Sequence, residues 1–492
     1  MPDKRSTVLF TQCAGMFLVQ LDVTVVDVEL PSIGAGFHAD VPALQWIVDG
    51  YTVVLAALLL TGGALGDVIG HRRVVLAGLG IFGLASAGCA LASGATALVA
   101  ARVAQGAGAA LLFPGTLAVI TRTFPGRREQ ARALGVWAGV SALALAAGPL
   151  LGGLLVTATG WRALFWINVP LTALAPAGTL LVPADPPARG RVGVKGALTG
   201  ATALGALVYA VIQSSVPALV LGVAGAVAFL VAERTGRAPM LPLELLRSRT
   251  VAAANVVAGA MNFAGLGAIL LATLYLQGVR HATPLTAALA MLPGFLPLPR
   301  LAPVAGRLTA RLGPRPVMIA GLLTGATGLL GLLRITADST VAGAFLPAVA
   351  LLGVGLGLLT TAVVAAAVGG VPAGKGGVAG GVNNTARQAC GALGIAAFGA
   401  IAGSPAHPAA FVHGLHAAGL LGAGMWLPAA VLTAAAVGRP CAKPGCGRRL
   451  TWKDTAWIRP SPGSLRKNGT RWSSVEPDGC GPSQPSTKGP AR

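Results

Sequence analysis

Long apolar runs separated by short polar gaps set the rhythm of this chain. Fourteen runs are long enough to read as membrane-spanning helices, because about 20 apolar residues cross a ~30 Å hydrocarbon core. Their expected limits are 8–31, 45–66, 74–93, 96–118, 134–158, 162–183, 196–214, 216–232, 251–277, 283–304, 317–333, 340–367, 378–402 and 411–437. No small-residue cleavage site follows the first run, so it reads as a helix and not as a removable leader.

The cations between the runs test this count, because cytoplasmic loops carry the excess of Lys and Arg. With the N-terminus and its Lys4 and Arg5 inside, the inner gaps hold Arg72, Arg73, Arg122, Arg127, Arg128, Arg132, Arg189, Arg191, Lys195, Arg234, Arg237, Arg247, Arg249, Arg307, Arg311, Arg315 and Lys375. The outer gaps hold only Arg162, Arg280 and Arg334. Adding or dropping one helix scrambles the alternation. The expected topology is therefore an even count, multi-pass in the cell membrane, with both termini cytoplasmic.

Composition agrees. Of 492 residues, 54% are hydrophobic and 10% charged, whereas a soluble protein of this size needs about a quarter charged. The net charge of +21 does not point to nucleic acid, since the cations sit between apolar spans. Cys13, Cys89 and Cys390 lie in apolar runs as small hydrophobes, and no zinc set is evident. Residues 439–492, rich in Pro, Gly, Ser and Arg, read as a basic disordered tail that either touches anionic lipid or has no role.

One run is anomalous. LDVTVVDVELP (21–31) places Asp22, Asp27 and Glu29 in the first span, where a carboxylate costs at least ~2.5 kcal/mol. At 1.5 Å per residue Asp22 lies ~21 Å from the helix start, and Arg102 in the fourth span lies ~10 Å from the opposite face. The depths agree, so an Asp22–Arg102 pair would compensate two buried charges and could be broken by protonation. Glu29 shares the face of Asp22 two turns further out, while Asp27 points away. Asp27, Glu29 and Asp49, the last in WIVDGY, either line an outer vestibule as secondary acids or sit solvated near the interface.

A repeat is also present. GALGDVIGHRR (63–73) and GRLTARLGPRP (306–316) are offset by 243, and each follows an apolar run. Paired helical halves mark transporters. The first of these stretches also resembles the first cytoplasmic loop motif of the major facilitator superfamily, with Gly63, Asp67, Gly70, Arg72 and Arg73 in place. LVAARVAQGAGAA (98–110) resembles its fourth-helix motif with Arg102 and Gln105. GVSALALAAGPLLGG (139–153) resembles the antiporter motif with Gly148, Pro149, Gly152 and Gly153. WRALFWINVP, LDVTVVDVELP and NNTARQACG resemble its helix-six, helix-one and helix-thirteen patterns. Six motifs in order make the resemblance to the fourteen-helix drug:proton antiporters specific, and actinomycete antibiotic exporters are of this kind.

The resemblance implies an all-α membrane protein: a six-helix bundle over 1–183, two linking helices and a loop over 184–250, a second bundle over 251–438, and the tail 439–492. It implies proton-coupled export of a small antibiotic or drug, driven by the proton gradient without ATP or another cofactor, by a monomer in the lipid bilayer. Asp22 and Arg102 would couple protons, 63–73 would latch the cytoplasmic side, and Gln105, Asn384, Arg387 and Gln388 are candidates for the substrate cavity. At 27 the family pattern usually has Asn and at 29 a small residue, so both acids depart from it. No acid occupies 283–304 or 378–402, while Arg300 and Arg387 do. Arg300 either snorkels to the cytoplasm or faces the cavity. A neutral or anionic natural product, such as a β-lactam, then suits better than a dicationic dye. Metabolite uptake or exchange is the alternative within transporters, and a receptor or assembly partner the alternative outside them. No HExxH or Walker motif suggests an enzyme or an ATPase.

Overall fold

The computed structural model describes residues 4–182, 193–236, 239, 241, 243–336, 338–371 and 376–438; the tail 439–492 and Arg189, Arg191, Arg237 and Lys375 lie outside them. Helices account for nearly all of it. The first group is α1 (Lys4–Phe37), α2 (Val41–Ile69), α3 (His71–Ala90), α4 (Ala95–Thr123), α5 (Arg127–Thr159), α6 (Arg162–Leu174) and the single turn α7 (Pro176–Thr179). A hairpin follows, α8 (Val194–Ile212) and α9 (Val216–Thr235). The last group is α10 (Arg249–Leu274), α11 (Pro284–Phe295), α12 (Pro297–Leu312), α13 (Pro314–Gly331), α14 (Leu346–Gly369), α15 (Gly376–Ala402) and α16 (Pro408–Ala436).

Local chemistry explains the boundaries. Asp40, Ser215 and Thr283 cap α2, α9 and α11, each accepting a backbone N–H with its side-chain oxygen, and a proline stands in the first turn of each helix. That placement costs nothing, because the first N–H groups of a helix have no partner in the helix. Gly70 and Gly313, 243 apart, have φ of 98° and 81° and turn the chain from α2 to α3 and from α12 to α13. The sequence repeat is thus also a backbone repeat.

Twelve helices among the described residues are long and apolar enough to cross a membrane. The expected span 162–183 is broken at Ala175 into α6 and α7, after Pro170. The span 378–402 lies in α15, which carries Asn383, Asn384, Arg387 and Gln388. The span 283–304 is among the twelve as the continuous segment Pro284–Leu312, in which α11 and α12 meet at Leu296 before Pro297. The first helix does not stop at Pro31 but runs through it to Phe37; in a bundle, neighbouring helices can support the backbone that a proline disturbs.

Packing repeats as well. In the first group α1 packs on α5, α2 and α3 on α4, and α3 on α6; in the last group α10 packs on α15, α11, α12 and α13 on α14, and α13 on α16. The groups meet through α2 with α15 and α5 with α11. The α8–α9 hairpin lies against α2 and α15 through α8, and α9 leaves Leu219, Val220, Val223, Val227 and Val231 exposed, as a lipid-facing helix would.

Candidate functional site

Arg102 is buried in α4 and Asp22 in α1, and an Arg102 Nη1 hydrogen bond joins them. A guanidinium away from water must distribute its five donors. Arg102 Nε donates to the Ile47 carbonyl at 3.0 Å and Nη1 to Gln105 Oε1 at 2.8 Å. The guanidinium carbon also lies 4.4 Å from the centre of the Tyr51 ring, within cation–π range. Gln105, one turn after Arg102 on the same face, donates to Asp22 Oδ1 at 3.0 Å and to Ser86 Oγ at 2.9 Å. Tyr51 Oη donates to the Val19 carbonyl at 3.0 Å. Helices α1, α2, α3 and α4 are therefore tied by one polar network. Gln105 belongs to this network rather than to the cavity wall. Tyr51 and Ser86 carried no signal in the sequence to mark them as members.

Asp27, Glu29 and Asp49 are buried too, not solvated. The continuation of α1 to Phe37 explains this: at 1.5 Å per residue, Asp27 and Glu29 lie about 15 and 12 Å inside that helix end. Asp49 accepts from Thr52 Oγ1 at 3.1 Å through Oδ1. Asp49 Oδ2, Asp27 Oδ1 and both Glu29 oxygens have no hydrogen-bond partner among the described residues.

A small cavity of about 60 Å³ lies between α1, α5, α10 and α15, with Gln20, Thr24, Asn262, Arg387 and Gln388 on its walls. Arg387 Nε donates to Asn262 Oδ1 at 3.3 Å. Beside it, an apolar cavity of about 40 Å³ shares the walls Ile269, Phe295, Leu298 and Leu356. Asn384 and the exposed Arg300 line neither cavity.

The glycines of 148–153 set how closely α5 approaches its neighbours. A Cβ on Gly148 would lie 3.0 Å from Thr24 Cβ, and one on Gly153 would lie 2.9 Å from Ala288 Cβ. Pro149 lacks an N–H, which leaves the Leu145 carbonyl without its helical donor; Thr24 Oγ1 of α1 donates to that oxygen at 3.2 Å.

In 63–73, Asp67 pairs with His71 Nε2 at 3.1 Å rather than with an arginine, and Arg72 Nη1 donates to the Val182 carbonyl at 2.9 Å. Gly63 is not the point of close approach, since its Cβ would be 3.7 Å from Pro114; Gly62 is, because its Cβ would lie 3.0 Å from the Ala110 carbonyl carbon. Arg73 is exposed.

Two glutamine side chains bridge the helix groups toward the end where α1 finishes. Gln45 Nε2 donates to the Ala396 carbonyl at 3.0 Å, and Gln277 Nε2 to the Val28 carbonyl at 2.7 Å. Gln277 sits on a π-helical turn, Tyr275–Val279, which extends α10. Neither glutamine was marked by a motif.

Comparison with known proteins then places this geometry. A family model described as "Major Facilitator Superfamily" matches residues 13–395. A methylenomycin A resistance protein of Streptomyces coelicolor is 37% identical over 410 residues, covering 81% of this chain and 86% of its own. The multidrug resistance protein Stp of Mycobacterium tuberculosis is 35% identical over 399 residues, covering 79% and 74%. A cephamycin export protein of Amycolatopsis lactamdurans is 34% identical over 419 residues, covering 81% and 85%.

Proposed function

The chain belongs to the Major Facilitator Superfamily, and from that premise we propose that it exports a small antibiotic or drug in exchange for protons, giving the cell tolerance. Membership makes it a membrane transporter and not an enzyme, and its relatives are resistance and export proteins. The observation that carries the proton coupling is the Asp22–Arg102–Gln105 network beside the cavity: Gln20 and Thr24, which flank Asp22 on α1, line the cavity wall. A proton on Asp22 removes the charge that holds Arg102 to α1. A buried carboxylate with no partner costs several kcal/mol, and a proton removes that cost. Asp27, Glu29 and Asp49 are the secondary acids of this reading.

We read the chain as fourteen passes of a monomer in the cell membrane with both termini inside, and as two bundles over 1–183 and 251–438 joined by 184–250. The end of α1 would then face outward, and the hydrogen bonds of Gln45 and Gln277 support reading this form as closed to the outside. Outside protons reaching Asp22 would favour release; loss of the proton inside would let substrate rebind, so affinity depends on pH. Motif 63–73 would latch the inner side. Alternating access about the cavity would rock the two bundles. The names of the relatives support a natural-product antibiotic as substrate, and we favour a neutral or anionic one.

The test is drug tolerance. An efflux-deficient bacterium expressing the chain is challenged with β-lactams, macrolides, nucleoside antibiotics and cationic dyes, beside Asp22→Asn at equal membrane levels. Tolerance to one class, lost in Asp22→Asn, supports the proposal. No tolerance to any compound turns attention to metabolite uptake, and full activity in Asp22→Asn moves the coupling acid elsewhere.

A further inference from the structure

We propose that Arg387 is the receptor for an acidic group on the substrate, and that the cavity pair selects amphiphilic monoanions; this rests on the export reading above. Arg387 lines the polar cavity, and its one hydrogen bond among the described residues runs from Nε to Asn262, so both terminal nitrogens are without a protein acceptor there. No ion pair joins Arg387 to a carboxylate among the described residues. From 251 to 438 the only acidic residue is Asp338, which is exposed. Asp22, on the helix whose Gln20 and Thr24 line the same cavity, is already shared between Arg102 and Gln105. A half-buried guanidinium without a counter-ion carries part of the cost of a buried charge, and its planar fork suits a carboxylate or sulfonate oxygen pair. Gln388, next to it on the cavity wall, offers a further donor.

The apolar cavity supplies the other half of the specificity. It shares Ile269, Phe295, Leu298 and Leu356 with the Arg387 cavity, and Met291 and Tyr275 extend it. An acid head at Arg387 therefore leaves an apolar or aromatic body against these side chains. A cation meets like charge at Arg387, and a strongly polar anion finds no partner for its body.

The experiment is equilibrium dialysis of radiolabelled 2-naphthoate and 2-naphthamide with the full-length protein in nanodiscs, for wild type, Arg387→Lys and Arg387→Gln. Wild type is expected to prefer the acid by about tenfold, as a charge-assisted pair requires. Arg387→Lys should retain part of the preference, and Arg387→Gln should bring acid and amide within about twofold of each other. Thermal stability of Arg387→Gln should hold or rise, because the charge it removes has no protein counter-ion. Equal binding of acid and amide to wild type, or an unchanged preference in Arg387→Gln, overturns the proposal. The two readings fail separately. Drug tolerance that survives Arg387→Gln sinks the anion receptor and leaves export standing; an Arg387-dependent acid preference without any tolerance phenotype sinks export and leaves the receptor.

Discussion

Thr24 Oγ1 donates to the Leu145 carbonyl at 3.2 Å, the oxygen that Pro149 leaves without a helical partner. One residue of the helix-one motif thus repairs a defect made by the Gly-Pro pair of helix five. Thr24→Val keeps the shape and removes the donor. It should lower stability by about 1 kcal/mol, while Thr24→Ser should restore it. Thermal denaturation of the purified protein in detergent distinguishes the two.

Breaking the ion pair from either side should have unequal effects. Arg102→Leu leaves Asp22 buried opposite an apolar side chain, a loss of about 3–5 kcal/mol, and should fail to accumulate in membranes. Asp22→Asn keeps one acceptor oxygen, which can take the Arg102 hydrogen bond, while its amide NH2 replaces the oxygen that accepts from Gln105, so it should accumulate better than Arg102→Leu. It should lose the response of transport to an imposed pH gradient in proteoliposomes. Acid outside should drive export by wild type and leave Asp22→Asn unmoved.

Gln45 and Gln277 hold the helix groups together near the end of α1. Gln45→Ala combined with Gln277→Ala should bias the protein toward opening there. A cysteine placed at the buried Ile33, in a background lacking the six native cysteines, should react with a membrane-impermeant maleimide severalfold faster in the double variant. An unchanged rate would mean that the glutamines do not gate that end.

The turn glycines of the repeat carry backbone conformations that a side chain resists. At φ of 98° and 81°, Gly70→Ala and Gly313→Ala should each cost about 1–3 kcal/mol. Gly63→Ala, whose Cβ would meet Pro114 only at an ordinary contact distance of 3.7 Å, should cost far less. Denaturation midpoints of the three variants rank the effect.

The depth of Asp22 and Arg102 was legible in the sequence, because helix rise converts residue number into height. The rotation of each helix was not. One residue turns a side chain by 100°, so Gly63 drew attention while Gly62 makes the close approach, and Asn384 was grouped with Arg387 although only Arg387 and Gln388 reach the cavity. Pro31 suggested a helix end that the bundle overrides, which made Asp27 and Glu29 look nearer to water than they are. Gln45 and Gln277 contact backbone carbonyls more than 200 residues away, and no local pattern encodes such a partner.

The missing counter-ion of Arg387 has an electrical consequence. A charge that shifts within a membrane field exchanges about 2.3 kcal/mol per 100 mV for a full crossing. On the export reading, an empty carrier moves with this guanidinium bare, and a carrier loaded with a monoanion moves with it neutralised. An inside-negative voltage then pulls the empty form back toward the cytoplasmic-facing state and leaves the loaded stroke almost untouched. The resetting half of the cycle, rather than the delivery half, would feel the cell's voltage.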